Sequence, residues 1–510
     1  MILALPSKGR VRGHAILAAL LALIASLRIV STYRVLSHTM DEPEHIGDGV
    51  QWLTGHGYNW DVSHPPIERI FAAASLYLDG VRYVPADGGY AEGLKLLGRN
   101  AQYDRVLAQA RLGVLPLFWI ASLAVFLWAR RAGGEIAALV AVFLFTTLPP
   151  VLAHAGLVTT DLAATAMGAV AFAVTEWWAE QPSRGRTLLF GMTLGLAALA
   201  KFSLLVYLPA GWLLLLLWRR PSWNEVRSRL APLAAAAVVG ALLIWAGYRF
   251  SLAGPLPAPE FFAGIRSIWQ HNVTGHSSYI LGERHQIGVW YFFPVTLAVK
   301  TPLAFLILLG WSIWIAWRKR LRVGGAACFA AGILLVAMSS RINIGVRHVL
   351  PIYAPLSVFC AVAAAQLLRP DTGRAALHRA VGVLVLCSAQ AFSGAFQHPD
   401  YIAYTNEIAW KHPENFVAES DLDWGQDMKF VAAFLSSVGA KQVAFTPYCG
   451  TYLIAGGEFP KTVPTDWYHP LPGWNVVSLS GLKVYNHPGW ANGRKPQVTI
   501  GRTHWAWYFP

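Results

Sequence analysis

A cluster of acidic side chains stands a short distance beyond the first long apolar segment of the chain. Asp41, Glu42 and Glu44 occur together, and the preceding residues 15–27 are almost entirely hydrocarbon. These carboxylates should emerge just outside the bilayer, near any lipid-linked molecule in the outer leaflet, and charged groups at the bilayer are usually functional. The alternative is a solvated cap at the start of a helix. The cluster therefore predicts either a functional site at the membrane surface or helix capping.

Further charged residues stand at the ends of later apolar segments. Asp161 either caps the helix that follows it or orients substrate or a cation beside Asp41. Lys201 either extends to the interface or binds a buried phosphate. Basic side chains gathered at one depth would neutralise a lipid phosphate and stabilise it as a leaving group. The residues predicted to do this are Lys201, Lys300, Arg347 and His348.

Two loops predicted to lie outside the membrane carry polar side chains suited to ligand capture. In the first loop, residues 37–110, His64 precedes a double proline that predicts a rigid turn and a helix start, so it is either a turn residue or part of a site. The second loop, residues 251–288, mixes histidine, asparagine, arginine and aromatic residues. The predicted substrate-binding residues are His64, Arg266, His271, Asn272 and Glu283.

The elements that must position these residues are membrane helices. Of the 510 residues, 55% are hydrophobic and only 13% are charged, and the mean hydropathy is +0.43, which excludes an ordinary soluble enzyme. We predict a polytopic α-helical membrane protein with about eleven spans, each near one apolar run. The runs are residues 14–36, 112–129, 135–153, 162–179, 187–200, 203–218, 231–250, 289–317, 323–339, 346–368 and 379–396.

The net charge of +14 is an orientation signal. It gives no support to a nucleic-acid partner, because the basic residues concentrate in alternate loops when the N-terminus is cytoplasmic. An odd span number then places the C-terminus outside. The basic residues predicted to face the cytoplasm are Lys8, Arg10, Arg12, Arg130, Arg131, Arg184, Arg186, Arg219, Arg220, Arg227, Arg229, Arg318, Lys319, Arg320, Arg322, Arg369, Arg374 and Arg379.

The chain divides into a membrane domain, residues 1–396, and a region of soluble composition, residues 397–510. In the second region, residues 428–438 predict a helix, and residues 442–446 and 474–479 predict strands, so we expect a small α/β domain outside the membrane. Its acidic segment around Trp424 is interpreted as capping and packing, with stacking on a sugar as the alternative.

The order and spacing of these residues resemble the dolichyl-phosphate-mannose protein mannosyltransferase and aminoarabinose transferase superfamily, in its bacterial, glycosyltransferase family 39-like branch. The resemblance covers about residues 14–396, and the C-terminal region departs from the simplest members. It implies a GT-C fold and an enzyme that transfers a sugar from a polyprenyl-phosphate carrier and inverts the anomeric centre. The residues that carry it are Asp41-Glu42, His64-Pro65-Pro66, Thr160-Asp161 and Ala200-Lys201.

The resemblance also implies roles for the candidate residues. Asp41 would be the general base, Glu42 and Asp161 would orient the acceptor or sugar, and the basic residues would hold the departing phosphate. No cofactor is assigned with certainty, and a divalent cation is an option with Asp41 and Asp161 as its ligands. The expected partners are a polyprenyl-phosphate sugar, membrane lipid and a protein, lipid or glycan acceptor, at a bacterial inner membrane.

Two other classes of protein have similar composition. A lipid flippase or transporter would show related halves or interrupted helices around a midplane site, and the sequence shows no such repeat. A non-catalytic envelope assembly protein would tolerate replacement of Asp41. The polar groups gather at one mouth of the spans, which favours transfer chemistry.

Overall fold

Each apolar run coincides with one helix or with two consecutive helices in the computed structural model of the protein, which describes residues 8–55, 57, 58, 61–99, 102–319, 321, 324–368 and 373–510. The helices are α1 (Lys8–Thr32), α2 (Glu42–Thr54), α3 (Pro66–Leu78), α4 (Gly89–Leu97), α5 (Tyr103–Gly133), α6 (Glu135–Thr147), α7 (Pro149–Ala155), α8 (Thr160–Glu180), α9 (Arg184–Ala200), α10 (Leu204–Arg219), α11 (Trp223–Gly247), α12 (Pro259–Thr274), α13 (Phe292–Lys300), α14 (Leu303–Lys319), α15 (Gly324–Ser339), α16 (Tyr353–Leu367), α17 (Arg374–Phe396), α18 (Met428–Ser437), α19 (Tyr452–Ala455) and α20 (Leu479–Tyr485). Short 3-10 helices cover Val346–Ile352, Pro413–Asn415, Glu419–Asp421 and Gly489–Ala491.

Six helical segments within the described ranges are long and apolar enough to cross a membrane: most of α1, together with α5, α8, α11, the unit of Val346–Ile352 with α16, and α17. Two bent pairs, α6 with α7 at 68° and α13 with α14 at 114°, raise the number to eight. The remaining three runs, in α9, α10 and α15, form helices of 16 or 17 residues. The chain is a multi-pass membrane protein, and the count of eleven spans is not confirmed.

The orientation of the chain in the membrane stays a prediction. Of the basic residues on which it depends, Arg320, Arg322 and Arg369 lie outside the described residues. The side chains of Lys8, Arg10 and Arg12 also lie outside the described part of the chain.

Helix α5 is central to the packing, since it lies against α1, α3, α6, α8 and α16. It approaches α3 closely because Gly113 has no side chain: a Cβ atom there would lie 2.2 Å from the carbonyl oxygen of Phe71. Helix α2 is held against α3 in the same way, since a Cβ at Gly49 would lie 2.2 Å from the carbonyl oxygen of Arg69. These contacts bring the start of α2 against the bundle.

A buried ion pair fastens α2 to α5. The carboxylate of Glu42 and the guanidinium of Arg111 are both 0% exposed, and they make two hydrogen bonds of 2.8 Å. Glu42 also accepts hydrogen bonds from the backbone N–H groups of Thr39 at 2.8 Å and Val158 at 3.1 Å. Burial raises the pKa of Glu42, but Arg111 and these hydrogen bonds outweigh it and hold that pKa below its usual value. Arg111 donates in addition to the backbone carbonyls of Tyr33, Leu36 and Ser37.

The C-terminal region contains a mixed five-stranded sheet with the order β6-β5-β7-β9-β8. Strand β5 is parallel to β6 and β7, and β9 is antiparallel to β7 and β8. The predicted small α/β domain is therefore confirmed, while its boundary at residue 397 stays a prediction. Two short hairpins precede the sheet in the chain, β1 with β2 and β3 with β4. The strands are β1 (Leu252–Ala253), β2 (Leu256–Pro257), β3 (Ser278–Ile280), β4 (Glu283–His285), β5 (Gln442–Thr446), β6 (Lys461–Val463), β7 (Gly473–Ser478), β8 (Val498–Ile500) and β9 (His504–Phe509).

Replacing Arg111 with Met should destabilise the protein by about 3–5 kcal/mol, because it leaves the charge of Glu42 buried without compensation. Thermal unfolding in detergent measures the effect. The double variant Glu42→Gln/Arg111→Met should recover part of the loss. Arg105→Met is the matched control on the same helix, since Arg105 and its partner Asp79 are 52% and 40% exposed and their pair should contribute less than about 1 kcal/mol. Equal melting temperatures for Arg111→Met and Arg105→Met would contradict this account.

Candidate active site

Two ion pairs meet at the end of the helix bundle that faces the sheet domain. The Oδ2 atom of Asp41 lies 2.6 Å from an Nη atom of Arg347. Asp161 pairs with Lys201, and Arg347 also lies in the electrostatic field of Asp161. The structure therefore brings together four residues that the sequence predicted for one site.

Each of the four residues is placed by the end of a helix. Asp41 immediately precedes α2, Asp161 lies in the first turn of α8, and Lys201 follows the last residue of α9. Arg347 lies in the 3-10 helix that leads into α16, and its chain turns at Gly345, where φ is +129° and a Cβ would lie 2.5 Å from the hydroxyl of Ser420. Glycine is required there by both the backbone conformation and the close approach.

Three of the four side chains are partly accessible. Asp41 is 27% exposed, Arg347 12% and Lys201 14%, whereas Asp161 is 1% exposed. The Nε atom of Arg347 and one carboxyl oxygen of Asp161 have no hydrogen-bond partner among the described residues. A buried donor without a partner is costly, and an anionic ligand with several acceptor oxygens would satisfy it. The arrangement can accept a proton at Asp41 and bind an anion at Arg347 and Lys201.

His348 lies beside this group, within the electrostatic field of Lys201, Arg347 and Asp161. Its backbone carbonyl accepts a hydrogen bond of 3.1 Å from the hydroxyl of Tyr207. His348 therefore lies close to Lys201, Arg347 and Asp161, which the sequence placed in the same candidate site.

Two predicted site residues are used elsewhere. The ammonium group of Lys300, a predicted phosphate ligand, is 2% exposed and donates to the backbone carbonyls of Ile402 at 2.6 Å and Asp421 at 2.5 Å. The carboxylate of Glu42, predicted to orient substrate, is also engaged, because Arg111 and two backbone amides occupy both of its oxygens. Both residues support the site from behind and do not face it.

We call the region around Asp41, Asp161, Lys201 and Arg347 the pocket. Of the predicted substrate-binding residues, His64 and His271 lie near it. The Nδ1 atom of His64 lies 2.6 Å from Asp61 Oδ2, and His64 also lies in the field of His348. His271 lies in the field of His64, and its Nε2 atom is 3.2 Å from Nδ1 of His276.

The structure does not bring the other three predicted substrate-binding residues into contact with the pocket, and their role stays a prediction. The side-chain oxygen of Asn272 accepts hydrogen bonds of 3.0 Å from the hydroxyl of Ser340 and the N–H of Arg341, so it links α12 to the loop after α15. Arg266 is exposed on α12, and Glu283 is exposed on the β3–β4 hairpin. Within the described ranges, neither makes a hydrogen bond or ion pair with the pocket residues. Sequence position alone could not reveal which face of α12 is exposed.

A group of carboxylates that the sequence did not assign to a metal lies next to the pocket. Oxygen atoms of Glu44, Asp48 and Asp61 lie within 4.8 Å of one another, so these are the described residues that could hold a divalent cation. Burial raises the pKa of Glu44 to about 7, and Asp61 adds to that shift. Asp41 and Asp161, the predicted ligands, each pair with a basic side chain instead. The available signal was the spacing of Glu44 and Asp48, one helical turn apart.

The C-terminal domain contributes residues that sequence reasoning did not assign to the site. The ring of Trp424 lies under the guanidinium of Arg347 at 4.3 Å, and Glu419 and Tyr448 lie in the electrostatic field of Arg347. Glu419 is 4% exposed and has φ of +49°, an unusual backbone conformation for a residue with a side chain. Burial raises the pKa of Glu419 to about 7, despite the opposing effect of Arg347.

The carboxyl group of Glu68 is buried behind the pocket. It is 0% exposed, and neither oxygen has a hydrogen-bond partner among the described residues. One oxygen lies 3.1 Å from Nδ1 of His45. Burial raises the pKa of Glu68 to about 8, against the opposing effects of Arg69 and His64.

The free energy of unfolding should therefore fall as the pH rises from about 4.5 to about 8, because the native carboxyl of Glu68 binds its proton more tightly than the unfolded one. Glu68→Gln mimics the neutral form and should remove this part of the pH dependence, raising the melting temperature at pH 8. Melting temperatures of the wild type and of Glu68→Gln between pH 5 and pH 8.5 measure this pH dependence. The exposed Glu407→Gln variant is the control, and an identical pH dependence for wild type and Glu68→Gln would refute the assignment.

Comparison with known proteins gives one sequence match. Residues 19–251 match the family described as dolichyl-phosphate-mannose-protein mannosyltransferase. No curated protein matches the chain at a significant level.

Solved structures with a similar fold include ArnT from Cupriavidus metallidurans. The structure of ArnT bound to undecaprenyl phosphate is 14% identical, with a TM-score of 0.55 over 96% of this chain and 97% of that chain. Its apo state gives a TM-score of 0.52 with the same identity and coverage. The S. cerevisiae protein O-mannosyltransferase Pmt1-Pmt2 complex bound to the sugar donor is 18% identical over 49% of this chain and 34% of that chain, with a TM-score of 0.38, too low to establish a shared fold. The family match and the ArnT fold confirm the predicted resemblance and the GT-C-like fold class.

Proposed function

We propose that this protein is a membrane glycosyltransferase of the GT-C superfamily, and that it transfers a sugar from a polyprenyl phosphate to an acceptor with inversion at the anomeric carbon. The observation that carries the proposal is the meeting of the Asp41–Arg347 and Asp161–Lys201 pairs in one pocket. It supplies a base and an anion-binding group side by side. The acceptor is a protein, a lipid or a glycan, and the site faces the outer side of a bacterial inner membrane.

Asp41 acts as the general base. Its carboxylate is 27% exposed, so an acceptor can reach it, and Arg347 fixes its position by holding Oδ2. As the acceptor oxygen or nitrogen attacks the anomeric carbon, its proton passes to Asp41. The bond from the anomeric carbon to the phosphate oxygen breaks, and its electron pair stays on the phosphate. A single displacement of this kind inverts the anomeric centre.

Arg347 and Lys201 stabilise the departing polyprenyl phosphate. The unpartnered Nε atom of Arg347 is an available donor, and an ammonium group lies nearby at Lys201. The hydrogen bonds from charged donors to a phosphate become stronger as negative charge develops on the phosphate in the transition state. The fold also supports a polyprenyl carrier, since the ArnT structure with this fold holds undecaprenyl phosphate. Asp161 fixes Lys201 and orients the sugar or acceptor.

Replacing Asp41 with Asn should lower the rate of sugar transfer by about a hundred- to ten-thousandfold, the usual contribution of a positioned proton acceptor. The protein is incubated in lipid with a panel of polyprenyl-phosphate sugars and membrane extract, and polyprenyl phosphate release is followed by mass spectrometry.

Asp79→Asn is the matched control, because Asp79 is a carboxylate that forms a solvent-exposed ion pair with Arg105. Unchanged melting temperatures show that both variants fold. Equal release by wild type and Asp41→Asn would remove Asp41 from the mechanism. Transport of donor lipid without release of polyprenyl phosphate would instead favour a flippase, and neither release nor transport by the wild type would favour an assembly protein.

Replacing Lys201 with Met should raise the KM for the donor about ten- to hundredfold, because a charged hydrogen bond to phosphate is lost. Initial rates at varied donor concentration, with the acceptor fixed, measure the change. In Lys201→Met, Asp161 loses its ion-pair partner, and the double variant Lys201→Met/Asp161→Asn tests whether this contributes to the defect. The variant Lys461→Met, at an exposed position, is the control. A defect confined to the acceptor KM would contradict a phosphate-binding role.

A further inference from the structure

One buried segment of the C-terminal region, residues 420–426, holds the chain next to both members of the Asp41–Arg347 pair. On the Asp41 side, the N–H of Met40 donates to the backbone carbonyl of Trp424 at 3.1 Å. The N–H of Ser37 donates to the backbone carbonyl of Gln426 at 2.9 Å. The segment therefore fixes the residue immediately before the proposed base.

The same segment fixes the residue immediately before Arg347. The carboxylate of Asp421 accepts a hydrogen bond of 2.9 Å from the N–H of Val346, and the hydroxyl of Ser420 donates to the carbonyl of Ile344. Lys300 holds the segment from behind, since its ammonium donates to the backbone carbonyl of Asp421. Two distant parts of the membrane domain are thus set relative to each other through one piece of the C-terminal region.

The side chain of Trp424 completes this arrangement. Its ring is 2% exposed and lies 4.3 Å from the central carbon of the Arg347 guanidinium, within range of a cation–π interaction. The ring is itself held in place, because the backbone N–H of Trp424 donates to the side chain of Gln426 at 2.8 Å and the ring packs beside His154 at 6.2 Å. An arginine side chain loses rotational freedom about several bonds when it is fixed. Stacking on an aromatic ring restricts the orientation of the guanidinium plane.

We propose that Trp424 is a positioning residue for the transfer reaction: it fixes the guanidinium of Arg347 so that one nitrogen holds Asp41 while the unpartnered Nε remains directed to the donor phosphate. The inference rests on the proposed function, and it makes the C-terminal domain part of the active site. Trp424 acts through Arg347 and does not touch the reacting atoms.

The test is a double-mutant cycle on binding of undecaprenyl phosphate to the full-length protein in detergent, read as affinity, so that it does not require turnover. Trp424→Leu should weaken binding about 3- to 30-fold when Arg347 is present, in line with a desolvated cation–π contact. In the Arg347→Gln background the same change should weaken binding less than about twofold. Trp424→Phe keeps an aromatic face and should restore affinity to within about threefold of the wild type.

Equal losses in both backgrounds would show that Trp424 acts only through general packing, and the proposal would be wrong. Trp424→Met is the second variant if Trp424→Leu fails to fold, because its flexible, unbranched side chain adapts to an irregular space without supplying a ring, and melting temperatures report folding. Failure of the wild type to bind undecaprenyl phosphate would also overturn the proposal. If the effects of Trp424 and Arg347 on binding are coupled but no sugar is transferred, Trp424 is a positioning residue and the proposed function is wrong. If sugar is transferred but the two effects are independent, the proposed function stands and the role of Trp424 is wrong.

Discussion

The buried ion pair between Glu42 and Arg111 is the interaction on which the candidate site depends. Both groups are fully removed from solvent, so each would be strongly destabilising without the other. Their hydrogen bonds also reach the backbone after α1 and before α8. The pair therefore fixes the start of α2, and with it the direction of Asp41. Adjacent carboxylates thus have separate tasks: one points into the bundle and holds it together, and the other points into the pocket.

Burial also affects the charge balance around the pocket. Asp41 and Asp161 each have a basic partner, whereas Glu44, Glu68 and Glu419 lie where burial raises the pKa of each to about 7 or 8. Burial therefore favours the protonated form of these three acids and reduces the negative charge around Arg347 and Lys201.

The C-terminal domain is integrated with the membrane domain through buried polar contacts. Residues 417–428 are buried throughout, and they include several acidic side chains that would be unfavourable there without partners. Asp421 accepts from a backbone amide next to Arg347, and Asp423 accepts from the hydroxyl of Ser478 in β7. Through these contacts the segment packs against both the sheet and the pocket. Separation of the C-terminal domain from the membrane domain would therefore expose both the segment and the Asp41–Arg347 pair.

The apolar runs predict the membrane helices directly, since a segment within the membrane must satisfy its backbone hydrogen bonds internally. The sequence also predicts strand β5, and it singles out Asp41, Asp161, Lys201 and Arg347 among the charges at the ends of apolar runs, where charges are costly and few. Which of these charges face the pocket depends on tertiary contacts. Glu42 differs from Asp41 because Arg111 lies beside it, and Lys300 differs from Lys201 because two carbonyls more than 100 residues later in the chain take its hydrogen bonds. The contact of Trp424 with Arg347 also depends on residues that are remote in sequence. No local pattern predicts it, because it forms only when the two domains pack together.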